Sequence, residues 1–99
     1  MDFPKSKEEI IKKRTNIEKQ LNEIIFSLNL KISFDEIKRM IYNEQDQSVL
    51  HQIINKFYNE QDVDELNKIL AVVNEAWNYF PHKILNELSP AEKILESQQ

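Results

Sequence analysis

The sequence contains no cysteine and no glycine, and each absence excludes a class of structure or chemistry. A chain without cysteine forms no disulfide, thiolate zinc site or iron–sulfur cluster, and it has no cysteine nucleophile. A chain without glycine lacks the residue that tight hairpin turns usually need, and it lacks every glycine-rich phosphate-binding loop. Because helices tolerate the lack of glycine better than sheets do, the composition favours an all-α fold.

Proline and long apolar runs are also scarce. Proline occurs only at Pro4, Pro81 and Pro90. No stretch approaches the roughly 20 apolar residues that a membrane-spanning helix needs. The stretch 1–14 is charged and has no uninterrupted apolar segment, so it does not resemble a secretory signal. We therefore expect a cytoplasmic protein with no membrane partner.

The size and charge of the chain indicate one small globular domain. We expect it to span residues 1–99, with frayed ends at 1–5 and 97–99. Residues 1–41 hold nine Lys/Arg and seven Asp/Glu (net +2), residues 42–99 hold four and ten (net −6), and the two halves sum to −4. General nucleic-acid binding needs a concentrated cationic surface, so we expect at most a local basic face in the N-terminal half.

Four capping pairs mark the starts of helices. In each pair a Ser or Asp precedes a Glu by three residues, so its side-chain oxygen can accept a hydrogen bond from an amide of the first turn; the pairs are Ser6–Glu9, Ser33–Glu36, Asp62–Glu65 and Ser89–Glu92. Apolar residues follow at helical spacing. The pattern predicts helices from Ser6 to Leu28, from Ser33 to Tyr42, from Asp46 or Ser48 to Tyr58, from Asp62 to Pro81, and after Ser89.

These helices are expected to form a small antiparallel bundle of four main helices plus a short C-terminal helix. The first and fourth helices would be the long packing partners, with the second and third as a hairpin against them. On the fourth helix, Trp77 and Phe80 fall on the predicted core stripe. Tyr79 falls off that stripe, which leaves it open to a partner contact.

One segment is repeated. Residues 42–46 (YNEQD) return unchanged as residues 58–62, sixteen positions later. One interpretation is an acidic loop used twice to contact a partner. The favoured interpretation is that each break between helices needs a turn followed by a capping residue, which Asn and Asp supply.

The candidate contact residues are mostly cations of the first two helices. Lys12, Lys13 and Arg14 are consecutive, and together with Lys38 and Arg39 they could form one cationic patch that meets phosphate or an acidic protein. The alternative is an ordinary solvated face, because acidic residues lie at neighbouring helical positions. The other two candidate contacts are Tyr79 and His82.

No catalytic, metal-binding or cofactor-binding motif is found. His51 and His82 belong to no HExxH or HxxxH pair. The run Asp62-Val63-Asp64-Glu65 lacks the turn glycine and the distant glutamate of a calcium loop, and helix capping explains it. We therefore expect no metal, no cofactor and no enzymatic activity.

The C-terminal third combines a long amphipathic helix with Asn78, Pro81-His82, Leu85 and the run 88–92 (LSPAE). In this order, residues 64–94 resemble the end of integrase-type transposase cores, where a helix leads into a loop of the form Asn, Arg-Pro-His, Leu, Gly and Thr/Ser-Pro-x-Glu. Phe80 stands in place of the arginine, the glycine is missing, and the strand-rich nuclease fold cannot fit upstream. The matched residues are structural in that family, so the resemblance implies no transposase activity.

Three functional hypotheses follow. The leading one is a non-catalytic helical interaction module: an adaptor, regulator or subunit of a larger assembly, with an unidentified protein partner. Self-association through helix 1 is also expected, because small bundles bury little surface. The alternative is a nucleic-acid-associated protein of a mobile or plasmid-borne element, using the basic face of helices 1 and 2. An enzyme is the third.

Overall fold

The computed structural model describes residues 5–58 and 60–98, and within them the chain is all-α. The helices are α1 (Lys7–Ser27), α2 (Phe34–Tyr42), α3 (Ser48–Phe57), α4 (Val63–Tyr79) and α5 (Pro90–Ser97), with a 3₁₀ turn at Lys83–Leu85. The only β-type pairing in this part of the chain is an isolated bridge between His82 and Leu88. Of the ends predicted to fray, 1–5 and 97–99, residues 1–4 and 99 lie outside the described residues, and Ser97 is the last residue of α5.

The helices start where the capping pairs predict. The side chains of Ser6, Ser33, Asp62 and Ser89 each accept a hydrogen bond from the backbone N–H three residues later. α3 starts differently, because Asp46 Oδ1 accepts from Ser48 N–H at 2.8 Å, and hydrogen bonds from Ser48 hold the pKa of Asp46 below its ordinary value. The four start signals are confirmed. α3 begins at Ser48, with Gln47 at the N-cap position and no side-chain cap, so of the two predicted starts the structure selects Ser48.

The helices enclose a single apolar core. α1 packs most extensively against α4, and α4 also contacts α3 and α5. Every α-helix contributes at least one buried apolar residue; those with no exposed surface are Ile10, Ile17, Leu21, Ile37, Ile41, Ile53, Phe57 and Ala76. Because α4 touches three other helices, its buried face is broad.

The breadth of that face corrects the prediction for Tyr79. The side chain of Tyr79 is 4% exposed and lies against α1, where Lys13 Nζ stands 5.9 Å from its ring centre. Val72, Ala76 and Tyr79 are spaced four and three residues apart and lie beside the core stripe; Val72 lines a depression together with residues of α1, and Ala76 and Tyr79 are buried. Phe80 is buried as predicted, whereas Trp77 is only half-buried against the core.

The two YNEQD copies have different surroundings. Asp62 is the N-cap residue of α4, whereas Asp46 lies one residue before the N-cap position of α3; each carboxylate accepts from a backbone N–H at the start of the following helix, which supports the turn-and-cap interpretation in part. Glu44 is buried, whereas Glu60 is exposed. Asn59 lies outside the described residues. The two identical segments therefore share one local role, which is the acceptance of a backbone hydrogen bond by the aspartate at the start of the next helix.

No helix in the described ranges combines the length and the apolar character needed to cross a membrane.

The burial of the aromatic residues predicts their contribution to stability. Phe57 has no exposed surface, so Phe57→Ala should lower the free energy of unfolding by about 3–5 kcal/mol. Trp77→Ala should lower it by about 2 kcal/mol, because only part of that side chain is buried. Tyr58→Ala, at a 58% exposed neighbouring position, is the control and should change it little. Urea unfolding followed by circular dichroism measures all three, and a Trp77 loss equal to that of Phe57 would contradict the half-buried placement.

Candidate interaction site

Segment 80–89, between α4 and α5, frames the candidate site. Pro81 ends α4, because proline disfavours helical backbone in the residue before it, and Phe80 is extended with ψ 151°. The segment then folds back on itself: the His82 N–H donates to the Leu88 carbonyl oxygen at 3.0 Å. Side chains from α2 and the α2–α3 connection hold it in place, and Arg14 of α1 joins the residues on either side of it.

The first of these attachments is a buried pair between His82 and Glu44. His82 has no exposed surface; its Nδ1 lies 2.5 Å from Glu44 Oε1 and its Nε2 lies 2.7 Å from the Trp77 carbonyl oxygen. Because a carbonyl oxygen only accepts, Nε2 donates to it, and Nδ1 faces the Glu44 carboxylate. This corrects the prediction that His82 contacts a partner, since both ring nitrogens find their partners inside the protein.

The second attachment is formed by Arg14. Its Nε donates to the Tyr79 carbonyl oxygen at 2.6 Å, and its Nη2 contacts the Glu92 carboxylate. Glu92 also accepts from the Ser89 N–H at 2.9 Å. Burial alone would raise the pKa of Glu92, but the hydrogen bonds from Ser89 and the Arg14 charge outweigh it and lower this pKa below its ordinary value. Arg14 is thus a structural link between α1, α4 and α5.

The structure does not assemble the predicted cations into one patch. Successive helical residues point roughly 100° apart, so Lys12, Lys13 and Arg14 project in three directions. Lys12 is exposed on the side of α1 away from Arg14. Lys13 pairs with Glu75 of α4 at 3.5 Å. Only Arg14 approaches the cations of α2, and its own charge is matched by Glu92.

Beside α2 the structure forms what we call the Pro81 cleft. It consists of two adjoining depressions of about 240 and 210 Å³, which share Lys38, Phe80 and Pro81. The remaining lining residues come from α1 and α2: Arg14, Thr15, Glu18, Phe34, Arg39 and Tyr42. Phe34 and Phe80 meet edge to face at 5.5 Å and form its apolar base.

Two cations stand at this cleft without a carboxylate partner. Lys38 and Arg39 are exposed, and within the described ranges neither forms an ion pair. Lys38 Nζ lies 5.6 Å from the Phe34 ring centre and 6.0 Å from that of Phe80, a cation–π arrangement. Lys38 and Arg39 are thus the predicted contacts that remain available at this cleft.

The opposite wall of the cleft is fastened by Tyr42. Its hydroxyl donates to Glu87 Oε1 at 2.8 Å, and this hydrogen bond raises the pKa of Tyr42 above its ordinary value. Tyr42 therefore joins the end of α2 to segment 80–89. The cleft is built on contacts from three parts of the chain.

In the described part of the chain, no group of three or more His, Asp or Glu side chains is placed to hold a metal ion. The cleft offers the cations Lys38 and Arg39 and, on the α1 side, the carboxylate of Glu18, beside an apolar surface. The residues that sequence reasoning missed are Glu44 and Glu92, whose partners lie far along the chain; the only signal was the Ser89–Glu92 capping pair.

The His82–Glu44 pair predicts a strong effect of Glu44→Ala. Removing the carboxylate leaves His82 buried without its partner, so the free energy of unfolding should fall by about 3–5 kcal/mol. Glu60→Ala changes the equivalent, exposed residue of the second YNEQD copy and should alter it little. Urea unfolding at pH 7 measures both, and two equally small changes would contradict a stabilising pair.

The lowered pKa of Glu92 predicts a pH-dependent contribution to stability. Its ionised form is favoured in the folded state, so the stabilisation is complete above the ordinary glutamate pKa of about 4.3 and is lost as the pH falls through the lower folded value. The difference in free energy of unfolding between wild type and Glu92→Gln should therefore be largest near neutral pH and should shrink in acid. Glu8→Gln, at an exposed position, is the control, and a Glu92→Gln difference that grows in acid would refute the assignment.

Comparison with protein-family models, with curated proteins and with solved structures finds no match to this chain. The resemblance of residues 64–94 to transposase cores therefore stays a prediction. Inference about function depends on the geometry of the surfaces described above.

Proposed function

We propose that this chain is a non-catalytic protein-interaction module whose Pro81 cleft binds an acidic segment of a partner protein that also carries an apolar side chain. The observation that carries this proposal is the pair Lys38 and Arg39, exposed and without carboxylate partners beside the apolar surface of Phe34, Phe80 and Pro81. A carboxylate on the partner would pair with the cations, and an apolar side chain would fill the cleft.

The rigidity of the cleft supports binding. Its walls are fastened by Glu44–His82, Tyr42–Glu87 and Arg14–Glu92, so little conformational freedom remains to be lost on association. The apolar part supplies affinity, and the two cations supply orientation and specificity. A short acidic segment suits these dimensions better than a large flat interface.

The distribution of charge favours a protein partner over nucleic acid. Binding to a phosphate backbone draws on several cations along one surface. Here Lys13 and Arg14 are paired with Glu75 and Glu92, and Lys12 faces elsewhere. The nucleic-acid alternative would have to depend on Lys38 and Arg39 alone.

We also propose the antiparallel order of α1 to α4. The connecting segments 28–33, 43–47 and 58–62 are short, which favours antiparallel neighbours. The extensive contacts of α1 with α4 and of α3 with α4 agree with this order. Self-association through α1 would use its exposed apolar residues Ile11 and Phe26, which are 52% and 89% exposed.

A peptide selection tests the proposed function. A random peptide library displayed on phage is selected on wild-type protein and on the double variant Lys38→Glu/Arg39→Glu. We expect wild type to enrich peptides with Asp or Glu next to an aromatic residue or leucine, and the double variant to bind the same peptides at least tenfold more weakly. The reason is that charge reversal replaces attraction by repulsion at the cleft.

Lys19→Glu/Lys31→Glu is the matched control, since it removes the same charge at exposed positions outside the cleft. It should leave peptide binding unchanged. A labelled DNA duplex supplies the second arm: binding at physiological salt that is lost in Lys38→Glu/Arg39→Glu would favour the nucleic-acid alternative. Enrichment of peptides without acidic residues would refute the proposal.

A further inference from the structure

A second depression runs between α1 and α4, and we call it the α1–α4 groove. Two adjoining hollows of about 480 and 380 Å³ form it, and they share Glu23, Ile24 and Lys68. Ile24, Leu28, Ile69 and Val72 form its apolar floor. The groove lies apart from the Pro81 cleft, and the two share no lining residue.

The dimensions of the groove suit a helix. On α4 its lining runs from Glu65 to Glu75, which at about 1.5 Å per residue is roughly 15 Å or three helical turns. Its two walls are themselves helices, and Ala71, which is small and exposed, lets another backbone approach closely. An apolar stripe with residues three and four apart would lie along the floor.

The charge of the groove selects the partner. Glu23, Glu65 and Glu75 lie at its rim, whereas Lys68 is the single cation among its described lining residues. Lys13 offsets Glu75 at one end. At the other end, α1 finishes with no basic residue in its last turn.

We propose that the α1–α4 groove is a second docking surface, which binds an amphipathic helix of a partner protein whose apolar stripe is flanked by lysine or arginine. This inference is independent of the proposed function, because it concerns a different face and a partner of opposite charge. Two such surfaces on one small domain make the chain a bridging adaptor.

Two labelled helical peptides test the inference. They share one stripe of leucines at positions i, i+3, i+4 and i+7, and they carry either lysine or glutamate at the flanking positions. Fluorescence anisotropy should show that the lysine peptide binds at least tenfold more tightly. NMR shift mapping should place that peptide at Ile24, Ala71 and Val72.

Variants of the protein assign the binding to the groove. Glu23→Lys/Glu65→Lys should weaken the lysine peptide at least tenfold and strengthen the glutamate peptide. Ala71→Arg, at an exposed position, should block the lysine peptide without unfolding the domain, as circular dichroism would verify. Glu8→Lys/Glu96→Lys, which changes the net charge equally at exposed positions away from the groove, should bind like wild type.

The outcome separates this inference from the proposed function. Lys38→Glu/Arg39→Glu should keep full affinity for the lysine peptide, because the Pro81 cleft is not involved. Equal binding of both peptides, or shifts confined to the Pro81 cleft, would overturn the inference. Sedimentation that shows concentration-dependent dimers, abolished by Ala71→Arg, would assign the groove to a second copy of this chain and would also overturn it.

Discussion

Glu92 lies at the start of α5, where its carboxylate accepts from the Ser89 N–H and contacts the Arg14 guanidinium of α1. Arg14 in turn donates to the Tyr79 carbonyl oxygen at the end of α4. A buried carboxylate without such partners would be strongly unfavourable, so the contact fixes the relative positions of three helices. The Arg14–Glu92 contact also determines which charges are available at the Pro81 cleft. Because the charge of Arg14 is matched by Glu92, Lys38 and Arg39 are the unpaired cations there.

The lack of glycine has a structural consequence next to this cleft. Asn86 and Glu87 both adopt left-handed backbone, with φ of 58° and 67°. Asparagine tolerates this conformation, but for an ordinary L-residue such as Glu87 it costs about 1–2 kcal/mol. The strain is offset by tertiary contacts: Glu87 N–H donates to the His82 carbonyl oxygen at 3.0 Å, and its carboxylate accepts from Tyr42. Segment 80–89 can therefore retain this strained backbone conformation, because the contact with Tyr42 of α2 stabilises it.

The sequence predicts the helices well because their start signals are local. A capping side chain reaches an amide three residues away, and an apolar stripe is set by helical geometry within one element. Glu92 and Arg14 are 78 positions apart, and His82 and Glu44 are 38 apart, so no spacing rule connects them. The error at Tyr79 has the same origin, since this side chain is buried beside Lys13 of α1, a contact that the apolar pattern of α4 does not contain. Local sequence patterns were therefore sufficient to predict the helices. The contacts at the candidate site could not be predicted in this way, because they depend on which helices pack against each other.

α1 contributes to both candidate surfaces through opposite sides. Arg14 and Glu18 line the Pro81 cleft, whereas Glu23 and Ile24 line the α1–α4 groove. Because a helix turns roughly 100° per residue, one long helix can line two separate surfaces. The charge of the sequence is uneven, +2 in residues 1–41 and −6 in residues 42–99. The two surfaces reflect this difference, because α2 supplies the unpaired cations of the Pro81 cleft and α4 supplies most of the carboxylates at the rim of the α1–α4 groove. An acidic partner would be repelled from the α1–α4 groove, and a basic partner would be repelled from the Pro81 cleft. The charges that attract each partner to its own surface would therefore also prevent the two partners from competing for one surface.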